Sequence, residues 1–257
     1  MLLDVLRLRT IRLGVLLYLL LMIFNSSAMF VNVFTGIGMK LDNYQNATLG
    51  NWCMAGYAIG ALSSMFLGSK GVHFKYLFAA GFLFLGLSAV FMYFEVQSAG
   101  LYERMKYPVI IRTTGMMFLY ALTAAYATQR MPYKYLSTWI CLMLTVRMVL
   151  GPSIGGAIYS NVLQERQQHY IVRYAQNVDM LHPEASASFI QTMQGMQYQG
   201  KSKQEALNMA ALSTKGRIQV QATLSAVKEM AGWTIYGCLF CMIFVLIIPY
   251  PKRKLLT

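Results

Sequence analysis

The chain has 257 residues, of which 57% are hydrophobic and only 12% carry a charged side chain, and its formal net charge is +13. Soluble domains contain about 25% charged residues, so this composition excludes an ordinary soluble domain. The apolar residues form long blocks separated by short basic clusters, which is typical of a polytopic helical membrane protein.

Six runs with few or no charges predict six transmembrane helices. A bilayer core about 30 Å thick takes about 20 helical residues, and each run reaches or nearly reaches that length. Helices are expected because an unpaired backbone amide in lipid is costly. In chain order the runs are 13–39, 43–69, 76–94, 107–129, 135–164 and 230–251.

The distribution of lysine and arginine predicts the orientation of these helices. Ten basic residues lie before the first run, after the last run, and in the connections that follow the second and fourth runs. Only Lys40, Arg104 and Lys106 lie in the other short connections. This bias predicts a multi-pass protein of the cytoplasmic (inner) membrane with both termini in the cytoplasm. Because topology explains the basic excess, we expect no nucleic-acid partner.

A polar segment, residues 162–229, separates the fifth and sixth runs and is predicted to lie outside the membrane. It divides the chain into 1–161 with five transmembrane helices, 162–229 as an external helical loop, and 230–257 with the last helix and a basic cytoplasmic tail. The segment is either a solvated cap without its own function or a docking surface for a partner such as a periplasmic adaptor protein. The sequence leaves both interpretations open.

Local signals in this segment indicate a helical hairpin. Ser202 and Glu205 have the spacing of a capping box, which predicts a helix from there through Ala211. Pro183 suits a first helical turn, and Gly200 suits a helix end. Apolar residues at helical spacing also predict that the fifth helix continues beyond the membrane. These residues are Leu163, Tyr170, Tyr174 and Val178.

Arg147 lies near the middle of the fifth run, where an arginine costs about 2.5 to 3.5 kcal/mol on insertion scales. It must therefore face protein or water. It either contacts a substrate, a coupling ion or a carboxylate, or is a structural arginine bound by helix-end carbonyls. Asn25 and Tyr57 lie at comparable depth and are candidates to share its site. Arg112, one turn inside the fourth run, either snorkels to the outer face or takes part in function.

No aspartate or glutamate occurs within the six runs, so a carboxylate partner for these arginines must come from elsewhere. The same absence means that the runs contain no acidic group that could carry a proton. Coupling to protons would therefore depend on a second set of helices.

Two glycine motifs predict close helix packing. Gly56 and Gly60 form a G-x-x-x-G pattern in the second run, and small residues at this spacing let helix backbones touch. The fifth run contains G-P-x-x-G-G, in which a proline also loosens the helix. Its residues are Gly151, Pro152, Gly155 and Gly156. Glycine-marked helices at corresponding positions of two three-helix units are expected in an inverted-repeat transporter, although ordinary packing would produce them too.

Catalytic and cofactor signals are weak. The three histidines lie outside the apolar runs, and the sequence has no Walker A loop and no H-E-x-x-H pattern. Cys238 and Cys241 have C-x-x-C spacing, but no second pair or nearby histidine completes a metal site. We therefore expect no enzyme activity, no cofactor and no metal.

Three stretches resemble the carboxy-terminal six helices of major facilitator superfamily transporters, and in particular the fourteen-helix drug:proton antiporters of the EmrB/QacA type. Residues 2–8 (LLDVLRL) are similar to the stretch before the ninth helix of these proteins. Residues 147–158 (RMVLGPSIGGAI) and 107–115 (YPVIIRTTG) look like patterns of two later helices. Residues 68–75 (GSKGVHFK) occupy the place of the loop motif between helices 2 and 3 but lack its aspartate.

The resemblance implies an all-α membrane fold of two three-helix inverted repeats with an external helical hairpin between helices 5 and 6. It implies a split or truncated carboxy-terminal half of a proton-coupled exporter of amphipathic small molecules. An amino-terminal half would supply the proton-titrating carboxylates. Arg147, Asn25 and Tyr57 would then face a central cavity, and the glycines of helices 2 and 5 would serve alternating access at the contact with that half.

Two other classes of function stay open at this point. The chain could be a non-transporting membrane scaffold or assembly subunit that docks a periplasmic partner through its external hairpin. It could also be a self-assembling channel. A neighbouring six- to eight-helix segment with intramembrane aspartates would favour the transporter half.

Overall fold

A computed structural model of the protein describes residues 9–96, 101–129, 131–177 and 183–248. All regular secondary structure in these residues is helical. The α-helices are α1 (Arg9–Asn25), α2 (Ala28–Val33), α3 (Asn43–Ser69), α4 (Phe74–Glu95), α5 (Lys106–Thr128), α6 (Leu136–Thr145), α7 (Gly151–Asn177), α8 (Pro183–Tyr198) and α9 (Lys203–Ile247). Two π-helical turns, Phe34–Gly38 and Val146–Leu150, follow α2 and join α6 to α7.

Within the described ranges, five helical stretches are long and apolar enough to cross a membrane. The chain is therefore a multi-pass helical membrane protein by length and composition. The stretches are Thr10–Gly38, Phe74–Glu95, Tyr102–Thr128, Tyr133–Gln176 and Lys203–Ile247. They overlap five of the six predicted runs over most of their length.

The second predicted run forms α3, which is not among those five. Its 27 residues would extend about 40 Å, so length is sufficient. Its amino-terminal half, however, carries polar side chains, including the exposed Asn43, Gln45 and Asn51. The second predicted span is therefore confirmed as a helix, and its crossing of the membrane stays a prediction.

The membrane helices pack as a closed ring with one helix attached at its side. The order around the ring is α5, α1, α7, α9 and α4, and α4 returns to α5. Helix α3 packs chiefly on α5. Helices α3, α5, α1 and α7 follow one another in a row on one side of the bundle. Helix α3 lies at one end of this row, and α7, together with the adjoining α6, lies at the other.

Two large apolar clusters fill the ring. One contains Tyr18, Phe78 and Phe118, and the other contains Phe30 and Tyr159. In lipid, burial of apolar surface adds little because acyl chains are equally apolar. Stability must come from close van der Waals contact and polar contacts between helices, which makes the glycines and the buried polar groups decisive.

The described part of the polar segment between the fifth and sixth runs is largely helical, and its first and last helices are continuous with membrane helices. Helix α7 continues to Asn177, as predicted, α8 begins at Pro183, and Gly200 follows α8 with φ +84°. The predicted boundaries after residues 161 and 229 fall inside α7 and α9. Polarity changes there without a break in the backbone.

The helix that starts at the predicted capping box does not end at Ala211. It runs for 45 residues to Ile247, about 67 Å, and therefore includes the sixth run as far as that residue. Residues 212–229 contain no proline, and they bury Ala222, Ala226 and Val227 against the neighbouring helices. This burial continues the helix through a stretch that composition alone made appear to be a loop.

The capping box of α9 leads to a local prediction. The Ser202 hydroxyl accepts from the Glu205 amide at 3.3 Å, and Glu205 accepts from the Ser202 amide at 3.2 Å. Ser202→Ala should destabilise this helix start by about 1 kcal/mol and speed hydrogen exchange of the amides of residues 203–206. Ser202→Thr retains the hydroxyl and should exchange almost as the wild type. Equal exchange in all three proteins would contradict the role of the cap.

Several sequence predictions lie outside the described residues. They include the resemblance at residues 2–8, the position of Val178, and part of the basic residues that define the orientation, namely Arg7, Arg130 and residues 252–254. The orientation in the membrane stays a prediction.

Candidate functional site

The first polar cluster forms where α5 crosses α1. Arg112 lies in the second turn of α5, and its guanidinium donates to the Asn25 side-chain oxygen at 3.0 Å and to the Asn25 carbonyl at 3.4 Å. The Nε atom of Arg112 is buried without a hydrogen-bond partner in the described part of the chain. The guanidinium thus contacts a neighbouring helix and does not snorkel to the outer face.

A break in the first run exposes the carbonyl that Arg112 binds. Helix α1 ends at Asn25, and the Met29 amide donates to the Ser26 carbonyl, so the Asn25 carbonyl lacks its usual helical donor. The Ser26 hydroxyl donates to the Met22 carbonyl at 3.2 Å, an interaction that bends helices. The sequence Asn25-Ser26-Ser27 therefore creates an acceptor site inside the bundle.

Helix α3 contributes the other side of this cluster. The Cys53 thiol and the Tyr57 hydroxyl lie close enough to Arg112 to interact with it electrostatically. This approach depends on Gly56, since a Cβ there would overlap the Thr113 hydroxyl and lie 2.6 Å from the Ile110 carbonyl oxygen. Tyr57 is 40% exposed, so the cluster reaches the surface of the bundle.

The second polar cluster surrounds Arg147. Its guanidinium donates to the Tyr120 hydroxyl at 2.8 Å and lies 4.9 Å from the centre of the Tyr120 ring. The ring of Tyr18 lies 5.3 Å from that of Tyr120, and the Tyr18 hydroxyl is buried without a hydrogen-bond partner among the described residues. Tyr120 of α5 therefore binds this arginine, with Tyr18 of α1 packed against the Tyr120 ring, and Arg147 stays partly exposed.

Arg147 lies in the π-helical turn Val146–Leu150, directly before Gly151 and Pro152. Proline has no amide hydrogen to donate to the Met148 carbonyl one turn earlier, so the regular ladder is interrupted there. Single π-turns of this kind occur often at functional sites.

The structure corrects the expected grouping of the polar residues. Asn25 and Tyr57 were expected beside Arg147, but both lie beside Arg112 instead. The partner of Arg147 is Tyr120, which packs against Tyr18, and the sequence analysis missed both tyrosines. Depth along a helix could be estimated from the sequence, whereas rotation about the helix axis could not, and the rotation decides which polar groups meet. A usable signal existed, because a tyrosine in the middle of a run needs a partner for its hydroxyl.

Neither arginine has an acidic partner among the described residues. Within the residues that the structure describes, ion pairs form at Arg104–Glu95, Lys106–Glu103 and Arg166–Glu229, and none involves Arg112 or Arg147. Both clusters therefore carry positive charge that hydroxyl, amide and carbonyl oxygens stabilise without neutralising it.

The glycine motifs hold helices together inside the bundle. A Cβ at Gly60 would lie 2.5 Å from the Thr114 carbonyl oxygen of α5, while Cβ atoms at Gly151 and Gly155 would overlap Met22 and Ser26 of the first run. Gly156 has open space around it. Four of these glycines thus face the chain's own helices, and their expected role in alternating access stays a prediction.

The cysteines do not form a site. All four are free, and Cys238 and Cys241 are buried in the apolar cluster around Phe78. Among the described residues, no group of three histidine, cysteine or acidic side chains is arranged to hold a metal ion.

The fold and the clusters define a multi-pass helical membrane protein with two arginines held by neutral polar groups inside its bundle. Comparisons with protein-family models, with curated protein sequences and with solved structures found no match.

Proposed function

We propose that this chain forms one six-helix bundle of a secondary transporter, with the helix arrangement of a major facilitator half. The observation that carries the proposal is the pair of arginines, Arg112 and Arg147, which lie in helical stretches long and apolar enough to span a membrane and have no acidic partner in the described chain. Charged groups at that depth are costly and mark substrate or ion pathways. The break after Asn25 and the π-turn at Arg147 supply the irregular backbone that such sites use.

The helix contacts support an inverted repeat. An inverted repeat would make the first, second and third runs equivalent to the fourth, fifth and sixth. The contact of α3 with α5, between the second and fourth runs, is then equivalent to the contact of α7 with α1, between the fifth and first runs. Each of these contacts is made through two glycines four residues apart, Gly56 and Gly60 in one and Gly151 and Gly155 in the other. The contacts of α4 with α9 and of α1 with α5 are unchanged by the exchange.

The two end helices support a second bundle. Asn51 and Tyr57 on α3 and Ser153 and Asn161 on α7 are exposed, although the helices are long enough to span the membrane. Polar side chains at that depth are stable when they face protein or a water-filled cavity. A partner bundle packed against α3 and α7 would cover them and enclose both arginine clusters.

In this proposal the transporter exports amphipathic small molecules across the cytoplasmic membrane, and the second bundle carries the protons. The arginines then bind either an anionic group of the substrate or a carboxylate of the second bundle at one stage of the cycle. Neutral oxygen ligands suit such temporary binding of an anion to the arginines. A carboxylate already bound to an arginine would have to be displaced before the anion could bind. Both chain termini face the cytoplasm.

The proposal is tested by transport in everted vesicles from cells that express the chain at its own locus, so that any second bundle is present. Proton-driven uptake of a lipophilic cation, tetraphenylphosphonium, and of an amphipathic anion, anilinonaphthalene sulfonate, is compared between wild type and a deletion strain. Arg147→Ala should lower the initial rate of the transported probe at least about tenfold, as expected when a charge-assisted contact is lost.

Lys215→Ala is the matched control, because Lys215 is an exposed basic residue on α9 remote from both clusters. It should transport at the wild-type rate. Unchanged transport in Arg147→Ala at equal expression would remove this residue from the mechanism.

A scaffold function is the second candidate. It is favoured by exposed apolar side chains on the helical extension, which we define as the described part of residues 162–229. Ile190, Tyr198 and Leu212 are 46%, 91% and 67% exposed on α8 and α9. As a scaffold for a periplasmic partner, the chain would not need its arginines. Leu212→Glu would then impair assembly of the partner, while Arg147→Ala would leave it intact.

A further inference from the structure

We propose that a groove at the junction of the membrane helices and the helical extension binds a phospholipid of the surrounding bilayer through its phosphate. The groove has a volume of about 720 Å³, within the range of small-molecule sites. It lies between the end of α4, the distal part of α7 and the middle of α9. Its walls include Tyr93, Phe94, Tyr174, Lys228, Trp233 and Tyr236.

The position of the groove along the helices is that of a membrane interface. Helix α4 ends at Glu95, and on α9 the last charged residues before a charge-free stretch to residue 248 are Lys228 and Glu229. Trp233 and Tyr236, on the apolar side of those charges, are 47% and 74% exposed. Exposed tryptophan and tyrosine at this level are typical of the headgroup layer.

The charges around the groove favour a phosphate. Glu229 is engaged by Arg166 at 3.6 Å, and Arg166 also lies 5.0 Å from the centre of the Trp233 ring. The Lys228 ammonium lies 4.9 Å from the centre of the Tyr93 ring, and no described carboxylate lies within 4 Å of it. Arg166 and Glu229 neutralise each other, so the net positive charge of the three groups belongs to Lys228, which lines the groove.

The aromatic walls favour a lipid over a free anion. Phe94 and Tyr236 form an exposed aromatic part of the groove wall. A phosphodiester placed at Lys228 would have its acyl chains beside these rings. Since the local charge is positive, an anionic phospholipid should bind more tightly than a zwitterionic one.

The test is native mass spectrometry of the full chain purified in detergent, with phosphatidylglycerol or phosphatidylcholine added at fixed concentration. Wild type should retain phosphatidylglycerol in preference to phosphatidylcholine, and Lys228→Ala should lower the bound fraction about tenfold through loss of a charge-assisted contact. Lys215→Ala removes the same charge from the exposed surface of the same helix and should retain wild-type binding. Circular dichroism verifies that each variant keeps its helical content.

A second pair of variants tests the groove wall. Tyr93→Leu removes the ring under the Lys228 ammonium and should weaken binding, whereas Tyr93→Phe keeps the ring and should retain it. Equal binding by the Lys228→Ala and Lys215→Ala proteins would overturn the proposal. So would inorganic phosphate that protects the wild type against thermal unfolding as well as phosphatidylglycerol does, because it would assign the site to a free anion.

Discussion

Gly56→Ala is expected to destabilise the protein by about 3 kcal/mol, at the upper end of the cost of overpacking. The added methyl group would overlap the Thr113 hydroxyl and approach the Ile110 backbone oxygen to 2.6 Å, and a backbone atom cannot move aside without displacing α5. Helix α3 would separate from α5, and Tyr57 would leave Arg112. Thermal unfolding in detergent, followed by circular dichroism, measures the loss.

Gly50→Ala provides the control on the same helix. A Cβ at Gly50 meets nothing within 4 Å, so the substitution should raise helix propensity and leave stability unchanged or increase it by up to about 1 kcal/mol. If the two variants unfolded at the same temperature, the conclusion that α3 contacts α5 closely through Gly56 would be wrong.

Asn25→Leu is expected to cost about 3 kcal/mol, because it removes the side-chain acceptor of a guanidinium that is largely shielded from solvent and leaves the charge in place. Arg112→Leu should be much less harmful, since it removes the charge itself and leaves a neutral asparagine. The double variant should then resemble Arg112→Leu alone. This double-mutant cycle, measured by thermal unfolding in detergent, isolates the interaction.

The same cycle separates stability from function. If Arg112 serves transport, the Arg112→Leu protein should be stable and should transport the probe of the wild-type protein poorly in everted vesicles. A cycle in which Asn25→Leu and Arg112→Leu cost the same and their effects add would show that the two side chains do not interact. Retained transport in a stable Arg112→Leu protein would assign this arginine to structure alone.

The two arginine clusters differ in a way that bears on mechanism. Arg112 is bound by the end of α1 and approached by α3, so a movement of either helix would change its contacts. Arg147 is bound by a single tyrosine hydroxyl and stays partly exposed. In the proposed transporter, Arg147 is therefore the group more readily available to a substrate, and Arg112 the group more sensitive to helix movement.

The phospholipid groove lies beyond both clusters, at the junction with the extension. Because α9 continues from the extension through the membrane without a break, a lipid held at Lys228 contacts the same helix that closes the ring beside α4. The lipid would stabilise this junction whether the chain transports or serves as a scaffold. Its test is consequently independent of the test of transport.

The sequence by itself determined the class of protein, five of the six spans as apolar helices, and the local start and stop signals. Charge-free runs, the Ser202–Glu205 capping box, Pro183 and Gly200 each act through neighbouring residues, and such local effects can be read from the chain. The sequence also showed that Arg112, Arg147 and the glycine motifs differ from the residues expected on a helix that faces only lipid.

Only the tertiary structure decided which of these residues meet. Asn25 pairs with Arg112 and not with Arg147, and the glycines face α1 and α5 inside the chain's own bundle. The physical reason is that a contact between helices depends on rotation and on crossing distance, to which every packed side chain contributes. The predicted helix end at Ala211 was wrong for the same reason. Packing against α4 and α7, which the sequence does not reveal, keeps α9 helical as far as Ile247.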